Sequence, residues 1–127
     1  MTASGLSRIH QISMTVHDLD RATRFYRDLL GLPFLFAAPP RLAFFDCSGV
    51  RLMLSTPEPQ FDHPGSVLYF AVDDIRGVHA SLRARGVEFG SEPHKIATLA
   101  DREVWLAEFR DTEGNTLALM SEPRIAY

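Results

Sequence analysis

The sequence contains the same short pattern twice. Val16-His17-Asp18-Leu19 returns as Val72-Asp73-Asp74-Ile75, and each copy lies between a strand-like run and a helix that ends at a glycine. Repetition of this kind indicates two copies of one small structural unit. The chain of 127 residues is long enough for one domain in which both units share a core, whereas one unit alone would be marginal.

The first unit is predicted to cover about residues 8–56. It begins with a strand in which polar and apolar residues alternate from Gln11 to Val16. A helix follows over about 19–30, with Asp18 as its cap and Gly31 as its stop. Three further strands are predicted at 33–36, 42–46 and 50–55, because each run is apolar and is bounded by proline or glycine turns.

The second unit is predicted to cover about residues 66–122 and to repeat this order. A proline-rich connection over about 57–65 separates it from the first unit. Its strand at 67–72 is followed by a helix that Asp74 caps and Gly86 stops. Three strands at 87–89, 103–110 and 116–120 complete the unit.

Composition excludes several classes of partner. Thirteen Lys and Arg residues against sixteen Asp and Glu residues give a charge of -3 without a basic cluster, so nucleic acid is not an expected partner. No apolar run approaches the roughly 18 residues of a membrane span, and the N-terminus lacks a signal-peptide pattern. The single cysteine, Cys47, fits a reducing compartment. We therefore expect a cytoplasmic protein without a membrane partner.

The doubled unit opens with the run IHQISMTVHDLDRATRFYRDLLGL and closes with FRDTEGNTLALMS. These motifs resemble the vicinal oxygen chelate superfamily, which holds glyoxalase I, bleomycin and fosfomycin resistance proteins, methylmalonyl-CoA epimerase and extradiol dioxygenases. The resemblance covers about residues 8–122. It implies an α+β fold of two tandem βαβββ units that form a curled mixed-sheet cup, with helices on the outer face and a small-molecule ligand in the cup. Relatives commonly pair two chains, so a homodimer is expected.

The metal site that the resemblance implies lacks its donors in this sequence. Metal-dependent relatives hold one divalent ion with a residue from the first and last strand of each unit, and the matching positions are Gln11, Met53, Val67 and Ala118. Only Gln11 offers an oxygen, and the other three side chains supply neither charge nor a hard donor. A shift of one residue would bring His10 to the first position but would place no suitable donor at the other three. We expect neither a metal nor another cofactor.

Three residues are candidates for catalysis without a metal. Arg51 would project into the cup and bind a carboxylate, phosphate or enolate with two hydrogen bonds, unless it lies at the rim, solvated or paired with Asp46. His94, in a predicted loop beside the pocket mouth, would act as a general base, unless it is simply exposed. Glu108 would remove a proton next to a carbonyl if it faces the cup, and pairing with a neighbouring arginine is the alternative.

Other residues are candidates for contact with the ligand. By strand alternation, the residues expected to point into the cup include Gln11, Ser13, Met53, Tyr69 and Ala118. Trp105 is a candidate for lining a flat ligand site, although an aromatic residue is more often part of the core. The histidines His17, His63 and His79 are expected on the surface.

Two functions stay open at this point. The first is a metal-independent lyase or isomerase acting on a small oxygen-rich or natural-product molecule. The second is a binder that sequesters an antibiotic, as in the bleomycin resistance branch. Clustering of Arg51 with Glu108 or His94 would favour the enzyme, and a wide groove between subunits would favour the binder.

Overall fold

Two four-stranded mixed sheets, each accompanied by a helix, make up the protein. A computed structural model describes residues 6, 8–59, 62 and 64–125. The first unit contains β1 (Gln11–Thr15), α1 (Leu19–Arg24), β2 (Phe34–Ala38), β3 (Leu42–Cys47) and β4 (Val50–Ser55). The second unit contains β5 (Leu68–Ala71), α2 (Ile75–Ala84), β6 (His94–Thr98), β7 (Glu103–Arg110) and β8 (Thr116–Ser121). The predicted α+β class with two tandem βαβββ units is confirmed.

The two sheets have the same topology. The strand order is β1-β4-β3-β2 in the first sheet and β5-β8-β7-β6 in the second. In each sheet the two strands that begin and end the unit are parallel, and the other neighbours are antiparallel. The sequence repeat therefore corresponds to a repeat of complete units.

Local signals in the sequence fix both helices. The side chain of Asp18 accepts a hydrogen bond from the backbone N–H of Arg21, and that of Asp74 accepts one from Gly77, so each aspartate caps its helix. Gly31 and Gly86 follow the helices with positive φ angles of 73° and 101°, a conformation that glycine adopts without strain. The predicted caps and stops therefore lie at the predicted residues.

Strand alternation divides each sheet into a covered and an open face. Met14 of β1, Val16 directly after it, and Leu52 and Leu54 of β4 are buried in a core to which both units contribute. We call the opposite side of the first sheet its open face. The side chains of β1 and β4 on that face are Gln11, Ser13, Thr15, Arg51, Met53 and Ser55.

A polar junction joins the two units beside this core. The Tyr26 hydroxyl donates to Asp111 Oδ2 at 2.8 Å, and burial together with Asp111 raises the pKa of the phenol. Asn115 Nδ2 donates to the same carboxylate at 2.8 Å and to the backbone oxygen of Thr15 at 3.0 Å. The turn between β7 and β8 is thereby attached to the first unit.

Glu113 in this turn binds the start of α1. Its carboxylate, 2% exposed, accepts hydrogen bonds from the backbone N–H groups of His17 and Asp18 and from the Arg21 guanidinium. Burial by itself raises the pKa of the Glu113 carboxyl. The hydrogen bonds together lower the pKa by more than burial raises it, so the pKa lies below its ordinary value of 4.5. The second unit therefore adds a carboxylate to the N-terminus of the first helix, where negative charge is favourable.

Several predicted boundaries differ from the structure. The predicted strand at 87–89 is absent apart from one bridge between Phe89 and Phe109, and the sixth strand lies instead at His94–Thr98. His94 therefore starts an edge strand rather than lying in a loop. The helix predicted over 19–30 is α-helical to Arg24 and continues as a π-helix over Phe25–Leu29.

The histidine predictions have three outcomes. His17 is exposed as predicted, and its Nε2 lies 2.7 Å from Asp62 Oδ2. His79 is only 5% exposed, so its predicted surface position is wrong: it follows Ile75 by four residues and therefore lies on the buried side of α2. His63 lies outside the described residues.

In the part of the chain that the structure describes, each helix is too short or too polar to cross a membrane.

We predict that Glu113→Gln lowers the free energy of unfolding by about 2 kcal/mol at neutral pH, because a hydrogen-bonded carboxylate is replaced by a neutral amide. The pKa of Glu113 is lower in the folded state, so its stabilisation is complete above the unfolded value of 4.5 and is lost as the pH falls through the folded value. Urea denaturation across a pH series measures the difference, which should shrink in acid. Glu88→Gln, at an exposed position, is the control, and a difference that is independent of pH would contradict the assignment.

Candidate functional site

A mostly apolar cavity of about 640 Å³ lies between the β3–β4 hairpin and β5. The first unit lines it with Asp46, Cys47 and Arg51, and β5 lines it with Tyr69, which is 56% exposed. A concave apolar space with a few polar groups is the usual form of a small-molecule site. This cavity is therefore the candidate functional site.

Arg51 is the main charged group of the cavity wall. It is partly buried, and its Nε donates to Gln11 Oε1 at 2.6 Å. Asp46 lies opposite Arg51 in the β3–β4 ladder, but its carboxylate accepts a hydrogen bond from the backbone N–H of Gly49 instead. Within the residues that the structure describes, no carboxylate forms an ion pair with Arg51. Its two terminal nitrogen atoms remain available to an anion.

The Arg51 guanidinium lies over one ring of a stacked pair of phenylalanines. The Arg51 Cζ atom lies 5.3 Å from the centroid of the Phe44 ring, a cation–π distance. Phe44 in turn stacks on Phe36, with ring centroids 4.4 Å apart and an interplanar angle of 26°. The Gln11 contact and this stack fix the guanidinium before a ligand arrives, which reduces the entropy that binding would cost.

The positions that hold a metal in related proteins do not fit a metal ion here. Gln11 Oε1, the one hard donor, already accepts a hydrogen bond from the positive Arg51 side chain. The Gln11 amide nitrogen points to the Met53 sulfur at 3.8 Å, and Val67 and Ala118 carry no donor. The described part of the chain also contains no group of three His, Cys, Asp or Glu side chains placed for coordination. A fixed guanidinium therefore occupies the donor that a metal would need.

Glu108 and His94 lie on the second sheet and do not cluster with Arg51. Glu108 lies opposite Ala118, and His94 lies opposite Leu106, on the side of this sheet away from Ala107 and Phe109 of the core. Both side chains are exposed, and His94 Nδ1 is 2.8 Å from the backbone oxygen of Glu92. Neither residue hydrogen-bonds to Arg51 among the described contacts.

Only some of the residues that were predicted to contact the ligand lie near one another in the structure. Tyr69 lines the cavity with Arg51, while Gln11 and Met53 lie beside Arg51 on the open face. Ser13 is exposed on the same face but further along β1, and Ala118 is fully buried in β8.

Trp105 lies on the covered side of the second sheet. Its ring packs under the Arg76 guanidinium of α2 at 5.2 Å, and its Nε1 donates to Glu103 at 3.0 Å. It therefore does not share a face with Glu108.

Sequence reasoning did not identify the stack of Phe36 on Phe44 as the support of Arg51. Phe44 shares one face of β3 with Leu42 and Asp46, and it lies opposite Met53 of the open face. The register of this hairpin is the signal that would have identified Phe44 as support for Arg51, because cross-strand neighbours share a face. Phe36 then follows as the neighbour of Phe44 in β2.

Comparison with known proteins gives one consistent result. The model of the "Glyoxalase/Bleomycin resistance protein/Dioxygenase superfamily" matches residues 8–119. The chain is 26% identical over 129 residues to the uncharacterized protein YraH of Bacillus subtilis (strain 168), covering 88% of this chain and 96% of that protein.

The fold recurs in solved structures of other proteins. Lactoylglutathione lyase from Agrobacterium tumefaciens superposes with a TM-score of 0.76 at 22% identity and covers 93% of this chain and 96% of its own. TnmS3, an antibiotic binding protein from Streptomyces sp. CB03234, superposes with a TM-score of 0.76 at 22% identity and covers 94% and 99%.

The cavity thiol gives a direct chemical test of this geometry. Burial, followed by the Asp46 carboxylate, raises the pKa of Cys47 above its ordinary value of 9.0. We predict that alkylation of this single cysteine by iodoacetamide rises with a midpoint above pH 9.0. Asp46→Asn should lower that midpoint, because the amide oxygen can still accept from Gly49 while the charge is gone. Asp20→Asn is the control, and an Asp46→Asn profile identical to that of the wild type would contradict the placement of Asp46 beside the thiol.

Proposed function

This chain belongs to the Glyoxalase/Bleomycin resistance protein/Dioxygenase superfamily, and on that basis we propose that it binds a small, planar, anionic molecule in the Arg51 cavity without a metal. The observation that carries the proposal is a partly buried guanidinium that is held in place and has no carboxylate partner among the described residues. Binding, rather than a particular reaction, is what this arrangement supports best.

The charge of Arg51 selects the chemical class of the ligand. A guanidinium that is fixed through its Nε presents its terminal N–H groups in one plane, and this geometry matches the two oxygens of a carboxylate. The apolar lining around it lowers the local dielectric constant, which strengthens such a pair. Tyr69 offers an exposed ring on the opposite wall, so a flat ligand body is favoured.

Metal independence is part of the proposal. In a metal-dependent relative the ion supplies positive charge to two neighbouring oxygens of the substrate. Here Arg51 supplies positive charge beside the same glutamine position and uses the oxygen that would bind the ion. We therefore assign the anion-holding role to the side chain, and no cofactor is part of the function.

The named relatives are compatible with binding and with catalysis. One structural neighbour is a lactoylglutathione lyase, and another is an antibiotic binding protein. Sequestration of a natural product suits the present chain, because its cavity is mostly apolar and Arg51 has no acid–base partner within the contacts described. The free, partly buried thiol of Cys47 suits a cytoplasmic location.

A metal-independent lyase or isomerase is the second candidate. It is favoured by one observation, the position of Glu108 and His94 on one side of the second sheet, where each is open to a ligand. In this case Glu108 or His94 would move a proton of a ligand that binds on the second sheet, away from Arg51. Recovery of a chemically altered ligand after incubation would favour this candidate, and recovery of unchanged ligand would favour the binder.

A homodimer is the assembly that we propose. β2 is an edge strand with exposed apolar side chains, and Phe34, Leu35 and Phe36 are 38%, 47% and 48% exposed. An apolar strand edge is an aggregation hazard unless it is covered. A second copy of the chain would cover this strand in a closed, twofold contact.

We predict that aromatic carboxylates raise the melting temperature of the wild-type protein by mass action and that Arg51→Ala abolishes this shift. Loss of a charged hydrogen-bond pair of about 1.5–3 kcal/mol should weaken binding at least about tenfold. The affinity of Arg51→Lys should lie between those of the wild type and Arg51→Ala, because lysine keeps the charge but cannot form the bidentate hydrogen bond. Arg27→Ala, which removes an exposed arginine on the other side of the first unit, is the control. Binding by Arg51→Ala that equals the wild type would overturn the proposed function.

The dimer has its own test. Leu35→Glu places a charge on the exposed edge strand and should shift the protein from dimer to monomer in analytical ultracentrifugation. Leu99→Glu, at a position that is 49% exposed on the second unit, should leave the dimer intact. A wild-type protein that sediments as a monomer at micromolar concentration would contradict this part of the proposal.

A further inference from the structure

A second cavity, of about 690 Å³, lies where α2 meets the segment that leads to β6. His79 and Arg83 of α2 line it on one side, and residues 86–92 line it on the other. Among the described residues, none lines both this cavity and the Arg51 cavity. We call this space the His79 cavity.

His79 brings an unpaired nitrogen atom to this cavity. Its side chain is 7% exposed, and its Nε2 atom is buried without a hydrogen-bond partner among the described residues. The Phe89 ring packs against the imidazole with ring centroids 4.4 Å apart and an interplanar angle of 67°, which fixes the orientation of the imidazole. Buried polar atoms in folded proteins nearly always have a partner, so this nitrogen indicates a bound ligand.

The Glu92 carboxylate faces this nitrogen. Its Oε2 lies 3.8 Å from His79 Nε2, which is too far for a hydrogen bond. Two ligands of one tetrahedral zinc ion lie about 3.4 Å apart, given the usual lengths of zinc–nitrogen and zinc–oxygen bonds. The Glu92 side chain is 76% exposed, so it can move by the small remaining distance without disturbing the core.

The charges around the cavity favour a cation. Two carboxylates, those of Glu88 and Glu92, line it together with one guanidinium, that of Arg83. The helix α2 ends at Ala84, and Gly86 lies in the cavity wall, so the carbonyl end of the helix is beside the cavity. This end of a helix carries partial negative charge. A positive ion is therefore stabilised here, and an anion is not.

The donor atoms select the kind of cation. Zinc and its neighbours among the transition metals accept an imidazole nitrogen together with a carboxylate oxygen. Magnesium and calcium prefer oxygen ligands and gain nothing from His79. The described residues place no third His, Cys, Asp or Glu side chain for coordination, so water completes the shell of such an ion. Structural zinc sites use four protein ligands, and a site with two is therefore exchangeable.

We propose that the His79 cavity binds one exchangeable divalent ion of the zinc type through His79 Nε2 and the Glu92 carboxylate. The ion joins α2 to the segment before β6, which the ladder between the strands holds only at the Phe89–Phe109 bridge. Binding of the ion thereby stabilises the second unit. The site is separate from the Gln11 position, where related proteins hold a metal, and it does not depend on the proposed function.

NMR spectra of the histidine rings report on each ring nitrogen separately. Titration of the wild-type protein with zinc chloride at micromolar concentration should shift the Nε2 resonance of His79 and raise the melting temperature. Magnesium chloride should do neither. Glu92→Gln removes the charged ligand at an exposed position and should weaken zinc binding at least about tenfold. Glu88→Gln, in the same cavity wall, is the matched control and should retain the site.

A second pair of variants tests the imidazole. His79→Phe keeps an aromatic ring against Phe89 and should abolish the rise in melting temperature with zinc. His17→Phe, at an exposed histidine beside Asp62, should keep it. If His79→Phe melts at a lower temperature without zinc, Glu92→Gln decides, because its exposed side chain has no part in the core.

Two results would overturn the inference. One is a zinc-induced shift confined to histidines other than His79, and the other is a zinc affinity of Glu92→Gln equal to that of the wild type. The affinity for an aromatic carboxylate such as 4-hydroxybenzoate should be the same with and without zinc. Failure of the zinc site therefore leaves the Arg51 proposal intact, and failure of Arg51→Ala to lose the carboxylate leaves the zinc site intact.

Discussion

Strand alternation is the constraint on which the rest of this structure depends. Side chains on one face of each sheet are buried in a core that both units share, and only the opposite face is free to vary. Met14 and Leu52 therefore pack in the core, while the side chains of their neighbours Ser13 and Arg51 lie on the open face. Shifting β4 by one residue would place the Arg51 guanidinium in the core, where an unpaired charge is very unfavourable. The register that forms the fold is thus also the register that presents the candidate ligand site.

In the function that we propose, the Arg51 guanidinium takes the place of the metal ion at this site. A metal ion requires several hard donors, and Met53, Val67 and Ala118 supply none. Arg51 needs only a hydrogen-bond acceptor and a ring to lie on, and Gln11 and Phe44 supply them. A guanidinium binds carboxylates well but cannot accept electron density as a Lewis acid does, so the exchange favours recognition over metal-assisted chemistry. Membership of the superfamily fixes the scaffold, whereas the function has to be argued from the residues of the site.

The sequence predicts the fold better than the site, for reasons that individual residues make clear. Asp18, Gly31 and the alternation of β1 act locally, so the repeat and most elements could be read directly. The run 87–89 looks like a strand but pairs at one bridge only, whereas His94–Thr98 is too polar to stand out and forms a strand because β7 lies beside it. Trp105 lies on a strand with buried residues on both faces, so alternation could not assign its side. The partners of Arg51 and the stack of Phe36 on Phe44 depend on contacts across strands, which one sequence does not reveal.

The claim that a guanidinium has replaced the metal can be tested in one crystal. Crystals grown with both 4-hydroxybenzoate and zinc, measured at the zinc absorption edge, would locate the carboxylate and any bound ion together. We expect the carboxylate on the terminal nitrogens of Arg51, the Arg51–Gln11 hydrogen bond intact, and no anomalous peak beside Gln11. A zinc peak on the Gln11 side-chain oxygen, with Arg51 displaced and the ligand bound to the ion, would contradict it.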